Sequence, residues 1–247
     1  MTQRQEQILS ELIKEYVKKA EPVSSNFLAK KCASLPDGQG FDCSPATIRA
    51  EMLNLEKEDY LVQPHTSAGR TPTDKAYRFF VDQLLNENKE NNLPEKAKRA
   101  IDETIASSPK EPHALSSRLA KATADLTDNF AISGILDTGE FYRVGFSNIL
   151  ELPEFDEAED IFGFGSIFDE FERHFASLFN DFPENGLQVY IGRENPGKEI
   201  RNESVLIARY PLPDGYEGIS ALIGPMRMAY DKNMAILKYI AKRMNQL

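Results

Sequence analysis

Residues 44–73, SPATIRAEMLNLEKEDYLVQPHTSAGRTPT, constrain this chain more than any other stretch. Ser44 can accept a hydrogen bond from an orphan amide in a first helical turn, and Pro45 stands where no donor is needed, so a sharply capped helix begins here. Ile48, Met52 and Leu55 recur at helical spacing as an apolar seam, which turns Ala46, Thr47, Ala50, Leu53 and Asn54 broadly away from it. A strand-like YLVQP follows, then a polar tip from His65 to Arg70 that contains Gly69 and one fixed cation. Helix, strand and basic tip in this order read as a winged helix.

The flanking segments extend that order. Thr2 and Gln5 have the spacing of a capping box, and Ile8, Leu9, Leu12, Ile13, Tyr16 and Val17 form one stripe of a first helix that Glu21-Pro22 ends. Ser24 or Ser25 caps a second short helix running to about Lys31, with Leu28 and Cys32 on one side. The loop SLPDGQGFD then leads into the helix that starts at Ser44. From Thr73, Tyr77, Phe80, Val81, Leu84 and Leu85 mark a fourth helix. The polar stretch NENKENNLPEK interrupts the pattern, so the boundary of a winged helix-turn-helix domain, residues 1–86, is placed near residue 90. Two helices with narrow apolar stripes, at about 95–106 and 112–127, make a helical connector over 87–128. They suit packing against the domain body or against a second subunit.

Beyond residue 129 the period shortens. FAISGIL, LQVYIG, SVLIARY and GISALIG are apolar or β-branched runs bounded by turn residues, which is the pattern of strands. Phe164, Phe168, Phe171, Phe175 and Phe179 mark a helix between them, and Tyr230, Met234, Leu237 and Ile240 mark a final one. Strands interrupted by helices without regular alternation predict an α+β domain on a mainly antiparallel sheet, residues 129–247.

The net charge of −10 argues against indiscriminate nucleic-acid binding, but residues 1–86 hold 11 Lys and Arg against 12 Asp and Glu, so the acid lies in the remainder. A near-neutral domain binds DNA if its cations share a face. No run approaches the roughly 18 apolar residues of a membrane span, and the N-terminus lacks a signal-peptide profile, so a cytoplasmic protein is expected. The two cysteines, Cys32 and Cys43, fit a reducing compartment as packing residues. His65, His113 and His174 are scattered, with no metal-binding spacing, nucleophile elbow or phosphate-binding glycine loop. The reading is therefore not an enzyme, with no cofactor and no metal.

DNA binding has a mechanism at the right spacing. A recognition helix presents its N-terminal residues to base edges, which assigns Ala46, Thr47 and Ala50 to the groove, with Ser44 capping the helix near phosphate. Arg49 lies beside the seam, where a phosphate contact and an intradomain ion pair are both open. His65, Thr66, Ser67, Gly69 and Arg70 form a small, polar, cationic tip suited to backbone or minor-groove contact; the plainer alternative is an ordinary hairpin loop.

EPVSS, SPATIRAEMLNLE, YLVQPHTSAGRTPT and AYRFFVD closely resemble the N-terminal domain of the HrcA family, and EFYRVGFSNIL, PEF, IGREN and IGPMRMAYDK resemble its C-terminal, GAF-like domain. The resemblance covers most of the chain outside residues 87–128. It implies a homodimeric heat-shock repressor that binds an inverted-repeat operator, CIRCE, ahead of chaperone genes and is coupled to the chaperonin. Ala50 stands where that family commonly has a polar residue, often asparagine, and Met226 and Ala229 stand where it usually has threonine and aspartate. Between Ser133 and Phe141 the chain is too short for the family's inserted dimerisation domain and further strands, so the GAF-like domain is a reduced one. The competing reading is a ligand-sensing or protein-interaction module with incidental DNA contact, which the acidic C-terminal portion would suit.

Overall fold

A computed structural model describes residues 1–35, 43–86, 93–108, 110–155, 186–195 and 201–247, which fall into two units, Met1–Glu87 and Asn88–Leu247. The expected loop at 34–42, apart from its first two residues, and the phenylalanine helix with His174 lie outside the described residues.

In the first unit, α1 (Gln3–Lys19) opens with the predicted capping box: the Thr2 hydroxyl accepts from the Gln5 amide at 3.3 Å, and the Gln5 carboxamide oxygen accepts from the Thr2 amide at 2.9 Å. It ends before Pro22, at Ala20, whose left-handed conformation (φ 55°) directs its N–H to the Tyr16 carbonyl. Ile8, Leu9, Leu12 and Ile13 are fully buried. Ser24 caps α2 (Ser25–Ala33), and Ser44 caps α3 (Pro45–Lys57), which packs on α1 and α2. Ile48, Met52 and Leu55 are each 0 % exposed, so the seam read from sequence is the buried face of α3. Burying each such side chain contributes about 1.5–3 kcal/mol, which fixes the helix's rotation about its axis.

The strands β1 (Leu61–Val62) and β2 (Thr71–Pro72) pair antiparallel, with Leu61 buried and Val62 48 % exposed. A third extended segment joins them: Val23 and Arg70 exchange two backbone hydrogen bonds, each 2.9 Å. A one-residue bridge has no periodicity and leaves no sign in the sequence. It explains Gly69, where a Cβ would lie 2.4 Å from the Val23 carbonyl carbon and oxygen. The helix α4 (Asp74–Asn86) then buries Ala76, Tyr77, Phe80 and Val81.

The second unit holds five antiparallel strands in the order β4-β3-β7-β6-β5: β3 (Phe130–Ile135), β4 (Glu140–Val144), β5 (Gly186–Ile191), β6 (Glu203–Pro211) and β7 (Glu217–Pro225). This mixed architecture with an antiparallel sheet is the α+β class read from the sequence. The edge strand β4 is an addition to that reading; it is partly exposed along its length and carries no alternation to detect. Most residues of β6 and β7 are buried on both faces, hence their unbroken apolar runs.

The helices read as a connector, α5 (Glu95–Ser107) and α6 (Pro112–Thr127), belong to this unit's core. Ile101, Ile105, Leu115 and Leu119 share one cluster with Tyr210, Leu212 and with Ile236 and Ile240 of the last helix, α8 (Tyr230–Met244). Phe130, Ile132, Val205, Ile207, Ile219 and Ile223 form a second cluster with Ile149 of the short helix α7 (Phe146–Leu150). The β3–β4 connection is a tight turn closed by a 3.0 Å hydrogen bond from the Gly139 amide to the Ile135 carbonyl, with Gly139 at φ 71°.

Several sequence motifs of this unit are clamps. Glu154 of PEF grips the Arg227 guanidinium of IGPMRMAYDK. The Tyr230 hydroxyl reaches the Ser204 hydroxyl at 2.6 Å and the Met226 carbonyl at 2.7 Å. Buried Asn195 of IGREN donates to the Gly192 and Glu203 carbonyls at 3.0 and 2.8 Å, tying the end of β5 to β6. No helix among the described residues is long and apolar enough to cross a membrane.

Candidate nucleic-acid interface

The N-terminus of α3 is built by Ser44. Its hydroxyl accepts from the Thr47 amide at 3.1 Å and lies 3.0 Å from the Thr47 hydroxyl, so the side chain of Thr47 is half-buried and already engaged. Pro45 follows at a position where a missing N–H costs nothing. Opposite the seam, Ala46, Arg49, Ala50, Leu53, Asn54 and Lys57 are all exposed. Arg49 is exposed, and among the described residues it has no ion pair.

The carboxylates of α3 are directed elsewhere. Glu51 accepts from the Gln5 amide nitrogen at 3.0 Å and lies 3.7 Å from Arg4, while Glu56 is held by Arg70. The outward face of the helix therefore carries Arg49 and Lys57 and neither of these acids. The helix dipole adds to Arg49 near the N-terminus of α3, while Lys57 lies in its last turn.

Arg70 departs from the sequence reading. It was expected as a fixed cation of the tip, but it is only 8 % exposed, and its Nε and Nη2 lie 2.9 and 2.8 Å from Glu56 Oε2. The cause is the backbone bridge to Val23, which draws residue 70 out of the tip and into the sheet, where the side chain finds α3. In this geometry Arg70 fastens the hairpin to α3. Gly69 is likewise placed by its close approach to the Val23 backbone.

The tip itself is Pro64 to Ser67, all exposed. Gln63, which the sequence reading passed over, holds it in shape: its carboxamide nitrogen donates to the Thr66 and Ala68 carbonyls at 3.1 and 3.0 Å, and the Ala68 amide donates to the His65 carbonyl at 2.9 Å. A lone glutamine at a strand end carries no pattern that would reveal this. His65, Thr66 and Ser67 thus project from an ordered loop, with their side chains open to a partner. Lys75 is committed elsewhere, 4.3 Å over the Tyr60 ring and donating to the Glu58 carbonyl at 2.7 Å.

Both cysteines are free thiols. Cys32 is fully buried; burial, with smaller contributions from Glu11 and Cys43, pushes its pKa up to about 11 and keeps it protonated at neutral pH. Among the described residues no three His, Cys, Asp or Glu side chains form a group that would hold a metal ion.

Comparison with known proteins adds the family. The model of the HrcA protein C-terminal domain matches residues 72–234, more than half of the chain. A heat-inducible transcription repressor HrcA of Dehalococcoides mccartyi (strain ATCC BAA-2266 / KCTC 15142 / 195) is 25% identical, covering 100% of this chain and 96% of the relative. One from Natranaerobius thermophilus is 27% identical, covering 98% and 95%. The first alignment runs over 338 positions for the 247 residues here, so that relative carries segments without a counterpart in this chain. A crystal structure of a hypothetical protein shares the fold, with a TM-score of 0.78 at 20% identity over 100% of this chain and 98% of the other. The chain belongs to the HrcA family.

Proposed function

We propose that this protein represses heat-shock gene transcription by binding an inverted-repeat operator as a homodimer, with the first unit working as a winged helix and α3 as its recognition helix. Negative regulation of heat-shock genes follows from the family, whose relatives above are heat-inducible transcription repressors. The observation that carries the DNA-binding reading is the division of α3 into two faces. One is wholly consumed by its own unit; the other is exposed and cationic, and it begins at a capped helix N-terminus.

In this reading Ala46 and Ala50 enter the major groove, Thr47 and Ser44 set the first turn against a phosphate, and Arg49 pairs with the backbone. His65, Thr66 and Ser67 touch the flanking backbone or minor groove. Gly69 and Arg70 act indirectly, by fixing the hairpin on α3. One such helix reads a half-site, so a palindrome calls for a two-fold partner at a separation of one or more helical turns. We assign the second unit, a reduced GAF-like domain, to holding that separation; with only a tight turn joining β3 to β4, the dimer contact is made by other surfaces of this unit.

Mapping genomic occupancy of the protein before and after heat shock tests the reading. Occupancy at chaperone promoters that falls on heating, as their transcripts rise, is expected. Absence from those promoters at the lower temperature would refute it.

A further inference from the structure

The outward face of α3 has an unusual chemistry for a helix that reads bases. At about 100° per residue, Ala46, Ala50 and Lys57 lie within roughly 30° of the line opposite the buried seam, and Leu53 lies roughly 45° from it. Arg49 and Asn54, the side chains able to hydrogen-bond a base edge, lie roughly 85° and 55° to either side of it. Thr47, roughly 75° from the line, is half-buried, with its hydroxyl engaged by Ser44. Over the first three turns, then, the side chains nearest that line are the methyl groups of Ala46 and Ala50, with Leu53 beside them on the Arg49 side. Leu53 is 44 % exposed.

We propose that the centre of α3 reads thymine C5-methyl groups in the major groove through Ala46, Ala50 and Leu53, with Leu53 as the main specificity-determining side chain and the flanking Arg49 and Asn54 supplying polar contacts. This rests on the recognition-helix reading above and names the chemistry by which that helix selects its site. The thymine methyl is the one apolar feature among base edges in the major groove, and alanine and other small apolar groups pack against it. Alanines at 46 and 50 also let the helix backbone come close to the bases, which brings a longer Leu53 side chain level with the groove floor. The bland alternative is that Leu53 is one of the single exposed apolar residues common on protein surfaces. It differs in predicting no dependence of DNA binding on thymine methyls.

Uracil separates the two, because it differs from thymine only by that methyl. The probe is a duplex enriched from a randomised pool by the full chain, synthesised with thymine throughout or with uracil at single half-site positions, and titrated by fluorescence anisotropy. The wild-type chain should lose roughly two- to fivefold in affinity at one or two positions, the effect of removing one buried methyl. Leu53→Ala should weaken binding to the thymine duplex by a similar factor or more and become indifferent to uracil at one of those positions. Arg49→Ala should weaken binding while keeping the uracil effect. Equal affinity of the wild-type chain for thymine and uracil duplexes, with preference over a scrambled duplex retained, would overturn methyl readout and leave the recognition helix standing. Absence of any preference for the enriched duplex over the scrambled one would overturn the recognition helix itself, and methyl readout with it.

Discussion

The side chain of Arg70 discriminates most sharply between a direct and an indirect role in DNA binding. Its guanidinium makes two charge-assisted contacts with Glu56, at 2.9 and 2.8 Å, from a position only 8 % exposed. The Glu56 side chain is 30 % exposed, so the pair lies between a surface ion pair, worth about 0–1 kcal/mol, and a buried one, whose disruption costs about 3–5 kcal/mol. Arg70→Ala should therefore destabilise the first unit by about 1–2 kcal/mol, roughly 4–8 °C in melting temperature per kcal/mol for a domain of this size. Glu56→Gln removes the same pairing from the other side and should reproduce most of that loss, and a double-mutant cycle should return a coupling of about 1 kcal/mol. DNA titration then separates the roles. A phosphate contact by Arg70 would lower the slope of log affinity against log salt by about 0.9 in Arg70→Ala, and freeing the cation in Glu56→Gln would leave the slope unchanged or steeper. The clamp account predicts that both variants weaken binding together with the slope intact. A slope reduced in Arg70→Ala alone would refute it.

Other positions give independent checks. Gly69→Ala drives a methyl into the Val23 carbonyl and should cost about 1–3 kcal/mol in urea unfolding, with DNA affinity falling as the hairpin shifts. Gln63→Ala releases two carbonyls at the tip and should leave global stability nearly unchanged while raising protease susceptibility near residues 64–68 and weakening DNA binding. Alkylation of the native protein at neutral pH should modify Cys43 well before Cys32, whose thiol is pushed up to about 11; labelling of Cys32 at an equal rate would contradict its burial. In the second unit, burial raises the Tyr210 phenol above its ordinary value, a shift the Ser133 and Ser220 hydroxyls only partly offset. The folded state thus holds that proton more tightly than the unfolded one. The resulting stability is fully present below the unfolded pKa of about 10 and is lost as pH rises through the folded value. Tyr210→Phe should flatten this alkaline limb and lower stability at neutral pH by about 1–2 kcal/mol, since Ser133, Ser220 and the Ile219 carbonyl lose a partner.

What the sequence disclosed follows from the range of the forces involved. The cap at Ser44, the box at Thr2 and Gln5 and the seam of Ile48, Met52 and Leu55 are set by neighbours within one or two helical turns, so their spacing was legible. The strand β4 was not, because an edge strand exposed along its length has no alternation. The destination of α5 and α6 was open for a related reason: narrow stripes show that a helix packs, not what it packs on. Arg70 shows the limit most clearly. Its distance from Ser67 is three residues, yet its environment is decided by Val23 and Glu56, 47 and 14 residues away in sequence, and a bridge of one residue leaves no periodic trace. Gln63 is the converse, a residue without a motif whose two hydrogen bonds give the tip its form.

The central claim is that the exposed face of α3, paired across a two-fold axis, selects an inverted repeat. The most direct test titrates the full chain with an inverted-repeat duplex from its most strongly occupied promoter, with a single half-site and with a scrambled duplex, at several salt concentrations. The account predicts an inverted repeat bound tighter than the scrambled duplex by a factor on the order of 10³ or more, a much weaker half-site, and affinities that all fall linearly with log salt. Equal affinity for the repeat and the scrambled duplex at every salt concentration would contradict it.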